Sequence, residues 1–178
     1  MEQAEIRKIV EEHYPAMRFI GKKYTDADRD PVSEGFDRKW NEWMVNNWFG
    51  PLEKLPKPAG MENDVIGLMG MNGPDNFEYW IGEFTSEGTP VPKDHDIDYE
   101  YVDLPALSAG VCWLFGQPPG IFWMHEYCAA ELLGEGLKPF AEGTARWYAF
   151  ERYNNPRYTT PDAEGNRILD YGIFIEDE

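Results

Sequence analysis

The residues best placed to do chemistry lie in Ala145-Arg146-Trp147-Tyr148-Ala149-Phe150-Glu151-Arg152-Tyr153, where one carboxylate stands among aromatic rings. The segment reads as a strand, and side chains along a strand alternate between faces. Trp147, Ala149, Glu151 and Tyr153 are therefore expected on one face, with Tyr148 and Phe150 on the other, packed under the helix of their own half of the chain. Glu151 then meets the other half or a cavity. A carboxylate shielded in either way is costly unless it is paired, hydrogen-bonded or protonated, and Arg146 and Arg152 are expected to point away from it. Two readings of that charge stay open. Tyr153, backbone or water satisfies it in a polar edge position, or a cationic or polarised ligand completes the pair, with Trp147 and Tyr153 offering ring faces.

Other chemistry-bearing patterns lead nowhere. His125-Glu126 opens the HExxH zinc pattern, but Ala129 stands where the second histidine must be, so no metal site is expected. Gly67, Gly70 and Gly73 have GxxGxxG spacing, yet Pro74 and another strand follow, leaving no helix N-terminus for a pyrophosphate. These glycines are expected to let a backbone or a ligand approach closely. Ser108 enters a strand rather than the strand-to-helix elbow of a serine hydrolase. Cys112 and Cys128 lack metal or disulfide spacing and read as reduced core residues. No cofactor is implied.

Composition narrows the function classes. Hydrophobic residues make up 42% of the 178 and aromatics 15%, which requires a large core or a cavity and excludes disorder by composition. The formal net charge of -17, with the 16 Lys and Arg scattered, argues against direct nucleic-acid binding. No apolar run approaches the roughly 20 residues of a membrane span, and the polar start MEQAEIRKIVEEH does not resemble a signal peptide, so a cytoplasmic protein without a membrane partner is expected.

The elements that must position Glu151 come from an internal repeat. Tyr14-Pro15-Ala16-Met17 recurs as Leu104-Pro105-Ala106-Leu107, each leading into a strand: Met17 to Tyr24 in the first half, Ala109 to Phe115 in the second. A helical stretch follows in each, Gly35 to Leu55 with Phe36, Trp40 and Trp43 at helical spacing, and Ile121 to about Gly136. Two strands complete each copy: Asp64 to Asn72 and Phe77 to Thr85, then Ala145 to Asn154 and Arg167 to Glu176. The fold is therefore expected to be α+β, with two tandem βαββ modules in pseudo-twofold arrangement, an antiparallel sheet and a ligand pocket between them. One domain is expected, with repeat one over about 14–85, a linker over 86–98 and repeat two over about 99–176. Residues 1–13, carrying Ile6, Ile9 and Val10, read as an extra amphipathic helix. Superposing the copies through Asn72 and Asn154 sets Met69 and Met71 against Glu151 and Tyr153.

In these features the chain resembles the GyrI-like small-molecule-binding family, related to the effector-binding domains of BmrR and Rob-type regulators. The resemblance is carried by Pro15-Ala16-Met17-Arg18-Phe19-Ile20-Gly21, Tyr101-Val102-Asp103-Leu104-Pro105-Ala106 with Gly110, Phe150-Glu151-Arg152-Tyr153, and Asp170-Tyr171-Gly172-Ile173-Phe174-Ile175. It implies an aromatic pocket between the modules for hydrophobic, often cationic, compounds, with Glu151 as its central glutamate. The candidate ligand-binding set is then Glu151, Tyr153, Trp147, Met69, Met71, Tyr79, Trp80 and Trp113. The helix-turn-helix domain of the regulators has no counterpart in these residues. One branch of the family inhibits gyrase, which leaves a protein partner open. Another resembles hydrolases that open cyclopropane rings of aromatic compounds, a reaction in which Glu151 and Tyr153 would be the catalytic pair.

Overall fold

The computed structural model describes residues 4–93, 96–141 and 143–177. Its eight strands are β1 (Glu5–Tyr14), β2 (Met17–Tyr24), β3 (Asp64–Met71), β4 (Phe77–Ser86), β5 (Glu100–Leu104), β6 (Leu107–Gly116), β7 (Trp147–Asn154) and β8 (Arg167–Ile175). Its helices are α1 (Asp37–Val45), α2 (Gly50–Glu53) and α3 (His125–Gly134). The architecture is α+β, and the strands form one antiparallel sheet in the order β1-β6-β8-β7-β3-β4-β2-β5.

That order, together with two short connections, forces the sheet to curl. Strands β1 and β2 lie six places apart, roughly 29 Å across a flat sheet at about 4.8 Å per strand. Yet only Pro15 and Ala16 join Tyr14 to Met17, a reach of roughly 11 Å. The same holds for β5 and β6 across Pro105 and Ala106. The sheet therefore wraps around a core of Tyr14, Met17, Phe19, Leu68, Trp80, Phe84, Trp147, Phe150 and Phe174. Its other face carries the helices. Trp43 of α1 packs with Ile20, Tyr79 and Ile81, and Cys128 and Leu132 of α3 pack with Cys112, Ala149 and Tyr171. Gly110 is what lets α3 sit so close, since a Cβ there would lie 2.6 Å from a methyl of Leu132.

Several expectations are corrected. Residues 5–13 of the expected N-terminal helix belong to the edge strand β1, while 1–3 lie outside the described residues. The ladder with β6 shifts between Ile6 and Lys8, so the bulge at Arg7 puts Ile6 and Ile9 on one face, and both pack on the core beneath α3. A bulge in a strand thus imitates helical spacing. Part of repeat two, residues 100–104, is the separate strand β5, which pairs with β2 of the first half as β1 pairs with β6 of the second. Each copy is therefore strand, strand, helix, strand, strand, with its first strand lent to the other copy. The helical stretch Gly35 to Leu55 breaks at Asn47, whose φ of 52° leaves the helical region before Pro51 is reached. The later helix begins at His125 rather than Ile121, after a short 3-10 turn over Gly120–Phe122.

Candidate functional site

Glu151 lies where the two halves meet. Its strand β7 pairs with β3, and Glu151 stands directly opposite Gly67. Following the ladders outward from the two Pro-Ala connections, Gly67 is also the counterpart of Glu151 in the other copy. The sequence alignment that set Met69 against Glu151 is thus out by two residues. Both counterparts sit at the pseudo-twofold axis, where there is room for one side chain. A Cβ on Gly67 would lie 2.3 Å from the Tyr79 hydroxyl and 3.3 Å from Glu151 Oε1. The glycine of one copy makes space for the glutamate of the other and for the phenol that holds it.

The carboxylate is bound by hydroxyls. Tyr79 donates to Oε1 at 2.9 Å and Tyr153 donates to Oε2 at 2.7 Å. Tyr79 in turn accepts from the indole N–H of Trp40 at 2.9 Å, and its ring stacks on Phe36 at 4.4 Å between centroids. Trp40 also meets Tyr153 edge-on at 4.8 Å. Helix α1 therefore closes one side of the glutamate with its own aromatic residues. On the other side, Tyr171 stands opposite Glu151 in the ladder with β8 and shares a 2.7 Å hydrogen bond with His125 at the start of α3. Met69 receives the Tyr171 hydroxyl at its sulfur, 3.9 Å away.

Desolvation dominates the electrostatics. Burial holds the Glu151 carboxyl above its ordinary range, against the Tyr153 and Tyr79 hydroxyl donors that pull it down. Burial, and then the charge of Glu151, push the phenols of Tyr79, Tyr153 and Tyr171 well above theirs. Burial also lowers the affinity of His125 for a proton. Among the described residues no cation pairs with Glu151. A desolvated carboxylate held by two neutral donors and ringed by π-faces attracts a cation, and can also accept a proton.

The sequence set divides between the faces of the sheet. The structure brings Tyr153 and Tyr79 onto Glu151, with Met69 reaching the site through Tyr171. Met71, at the end of β3, pairs with Phe77 rather than with the glutamate. Trp147, Trp80 and Trp113 face the core on the opposite side of the sheet and are not part of the site. For Trp147 the cause is a bulge. Met69 pairs with Ala149 and Gly70 with Trp147, so Tyr148 is left over and Trp147 rejoins the face of Phe150. The expectation about helices holds for Tyr148, which packs in the layer beneath α3, but not for Phe150, which faces the curled core while Glu151 faces the helix layer. Trp40, Phe36, His125 and Tyr171 were not in the set. The helical spacing of Phe36, Trp40 and Trp43 marked an aromatic helix face, without indicating that it would reach residue 151.

No family model matches the chain, and no curated protein matches it. Solved structures do. A candidate bacterial transcription regulation protein from Staphylococcus aureus MU50 superposes with a TM-score of 0.64 at 13% identity, over 96% of this chain and 99% of that one. The protein SAV2435, in complex with tetraphenylphosphonium, superposes with a TM-score of 0.63 at 13% identity, over 95% of this chain and 94% of that one. An integron cassette protein from the mobile metagenome of Vibrio cholerae gives 0.52 at 10% identity, over 98% of this chain and all of that one. At these identities the likeness is one of fold, and it spans nearly the whole chain.

Proposed function

We propose that this chain binds lipophilic aromatic or cationic compounds at Glu151, between the modules contributing β3 and β7. The observation that carries this reading is the state of the carboxylate. It is desolvated, held by Tyr79 and Tyr153 on both oxygens, and without a cationic partner among the described residues. A ligand cation resting on the rings of Trp40 or Tyr153 would supply the missing charge, with the hydroxyls keeping the carboxylate ionised and oriented. Supporting this, SAV2435 shares the fold and is bound to tetraphenylphosphonium, an aromatic cation. The sequence resemblance to GyrI-like domains points the same way.

Glu151, Tyr153 and Trp40 are half-buried, and a bulky ligand would reach the carboxylate past Trp40 of α1. Equilibrium dialysis of tetraphenylphosphonium against wild type and Glu151→Gln tests the reading. The neutral variant should bind at least about tenfold more weakly, or roughly 1.4 kcal/mol. Equal affinity would remove Glu151 from the site. A second reading rests on the raised proton affinity of the same carboxyl, which suits a general base toward water, with Tyr153 orienting the substrate. Mass analysis after incubation with a cyclopropane-bearing aromatic compound tests it: addition of water by wild type and not by Glu151→Gln would make the protein a hydrolase.

A further inference from the structure

We propose that the cleft between the turn after β2 and Trp123 is a second binding site, separate from Glu151, which takes a flat aromatic cation. The cleft is a groove open to solvent, about 540 Å³ in volume, lined by Asp26, Arg29, Asp30, Pro31, Glu34 and Trp123. That volume falls within the roughly 300–1,000 Å³ of small-molecule sites. Its walls come from different halves of the chain: the 26–34 turn follows β2, and Trp123 lies between β6 and α3. None of its lining residues hydrogen-bonds to Glu151.

Trp123 forms one wall of the cleft. It is 70% exposed, whereas the other six tryptophans are buried or half-buried. Exposure here does not come from a loose loop, because Ile121 and Met124 on either side are core residues. The flanking core residues anchor the backbone, and the exposed indole lines the cleft. A singly exposed apolar ring is ordinary at a protein surface; Trp123 differs in lining a concavity together with three carboxylates.

The charges decide what kind of ligand fits. Of the three carboxylates, Asp26 pairs with Arg29 at 2.7 Å and Asp30 with Arg38 at 2.7 Å, while Asp30 also accepts from the backbone of Val32 and Ser33. Glu34 makes no side-chain hydrogen bond or ion pair among the described residues, and the Arg29 guanidinium is turned to its carbonyl instead. The lining therefore offers one indole face, one unpaired carboxylate and an excess of negative charge. Anions are repelled, neutral molecules gain stacking only, and a flat cation gains both stacking and charge.

N-methylacridinium, a planar cation whose charge does not depend on pH, is a suitable probe for dialysis and fluorescence titration. Trp123→Ala should weaken the outer site at least tenfold, and Glu34→Gln severalfold. Both residues are exposed, so the fold should be unaffected. Unchanged binding in Trp123→Ala overturns the proposal. Weakening by Glu34→Gln without weakening by Trp123→Ala overturns it too, since attraction to surface charge alone behaves in that way. Glu151→Gln separates the two sites. Loss only in that variant leaves the inner site standing and removes the outer one; loss only in Trp123→Ala does the reverse. Two classes of site in wild type, each abolished by its own variant, establish both.

Discussion

Burial of Glu151 works against its charged form. Burial raises its folded-state proton affinity above the ordinary carboxylate range. A group with a raised folded-state pKa contributes stability below its unfolded pKa, and that contribution is lost as pH rises through the folded value. Above its folded value the ionised glutamate is therefore a liability to the fold, one that a glutamine does not impose. Glu151→Gln is expected to gain melting temperature over wild type as pH rises, with the difference shrinking as pH falls and wild type takes up a proton. A scan of melting temperature against pH for both proteins checks this. A variant that melts lower at every pH would mean that the Tyr79 and Tyr153 hydrogen bonds outweigh the desolvation. Together with weaker binding, higher stability would mark Glu151 as a residue kept for function.

At the scale of elements, a second buried carboxylate shows how the sheet and its coverings are joined. Glu83 of β4 is 2.5 Å from the ammonium of Lys57, which also donates to the carbonyl of Leu52 at the end of α2. Both side chains are almost wholly buried. Burial still lifts Glu83 from 4.5 to about 7, against the pull of Lys57. Its contribution to stability is thus present below about 4.5 and is lost as pH rises to about 7. Lys57→Met removes the only cation bonded to this carboxylate among the described residues. The cost should be small at pH 5, where Glu83 can remain protonated, and about 3 kcal/mol at pH 8, where it cannot without penalty. Urea unfolding at the two pH values measures the difference, and equal losses would show that the pair is not electrostatically coupled.

The same scale explains what could be read from the sequence. The two Pro-Ala connections and the alternating strands made the repeat legible because they are local signals. The parity that singled out Glu151 and Tyr153 held because no bulge falls between them. Ile6 with Ile9, and Trp147 with Phe150, were misread for one reason, a single extra residue in a strand, which leaves no mark in the spacing of apolar positions. The exchange of first strands between copies and the arrival of Trp40 and Tyr79 at Glu151 depend on sheet order, which follows from packing across the whole chain.

For the whole molecule, the decisive quantity is a net charge of -17 spread over 178 residues. Such a charge repels itself in the compact state and draws cations toward the surface. Salt weakens both effects, since the Debye length falls from about 30 Å at 0.01 M to about 10 Å at 0.1 M. The melting temperature of the free protein should therefore rise between those salt concentrations, while affinity for tetraphenylphosphonium falls. The local attraction of Glu151 should be much less affected, because it acts over a few ångströms through protein rather than through solvent. Wild type and Glu151→Gln should consequently give parallel lines when log affinity is plotted against log salt, with the variant displaced downward. If the slope instead vanished in the variant, the salt-sensitive attraction would belong to Glu151 itself, and the acidic surface would have no part in gathering the ligand.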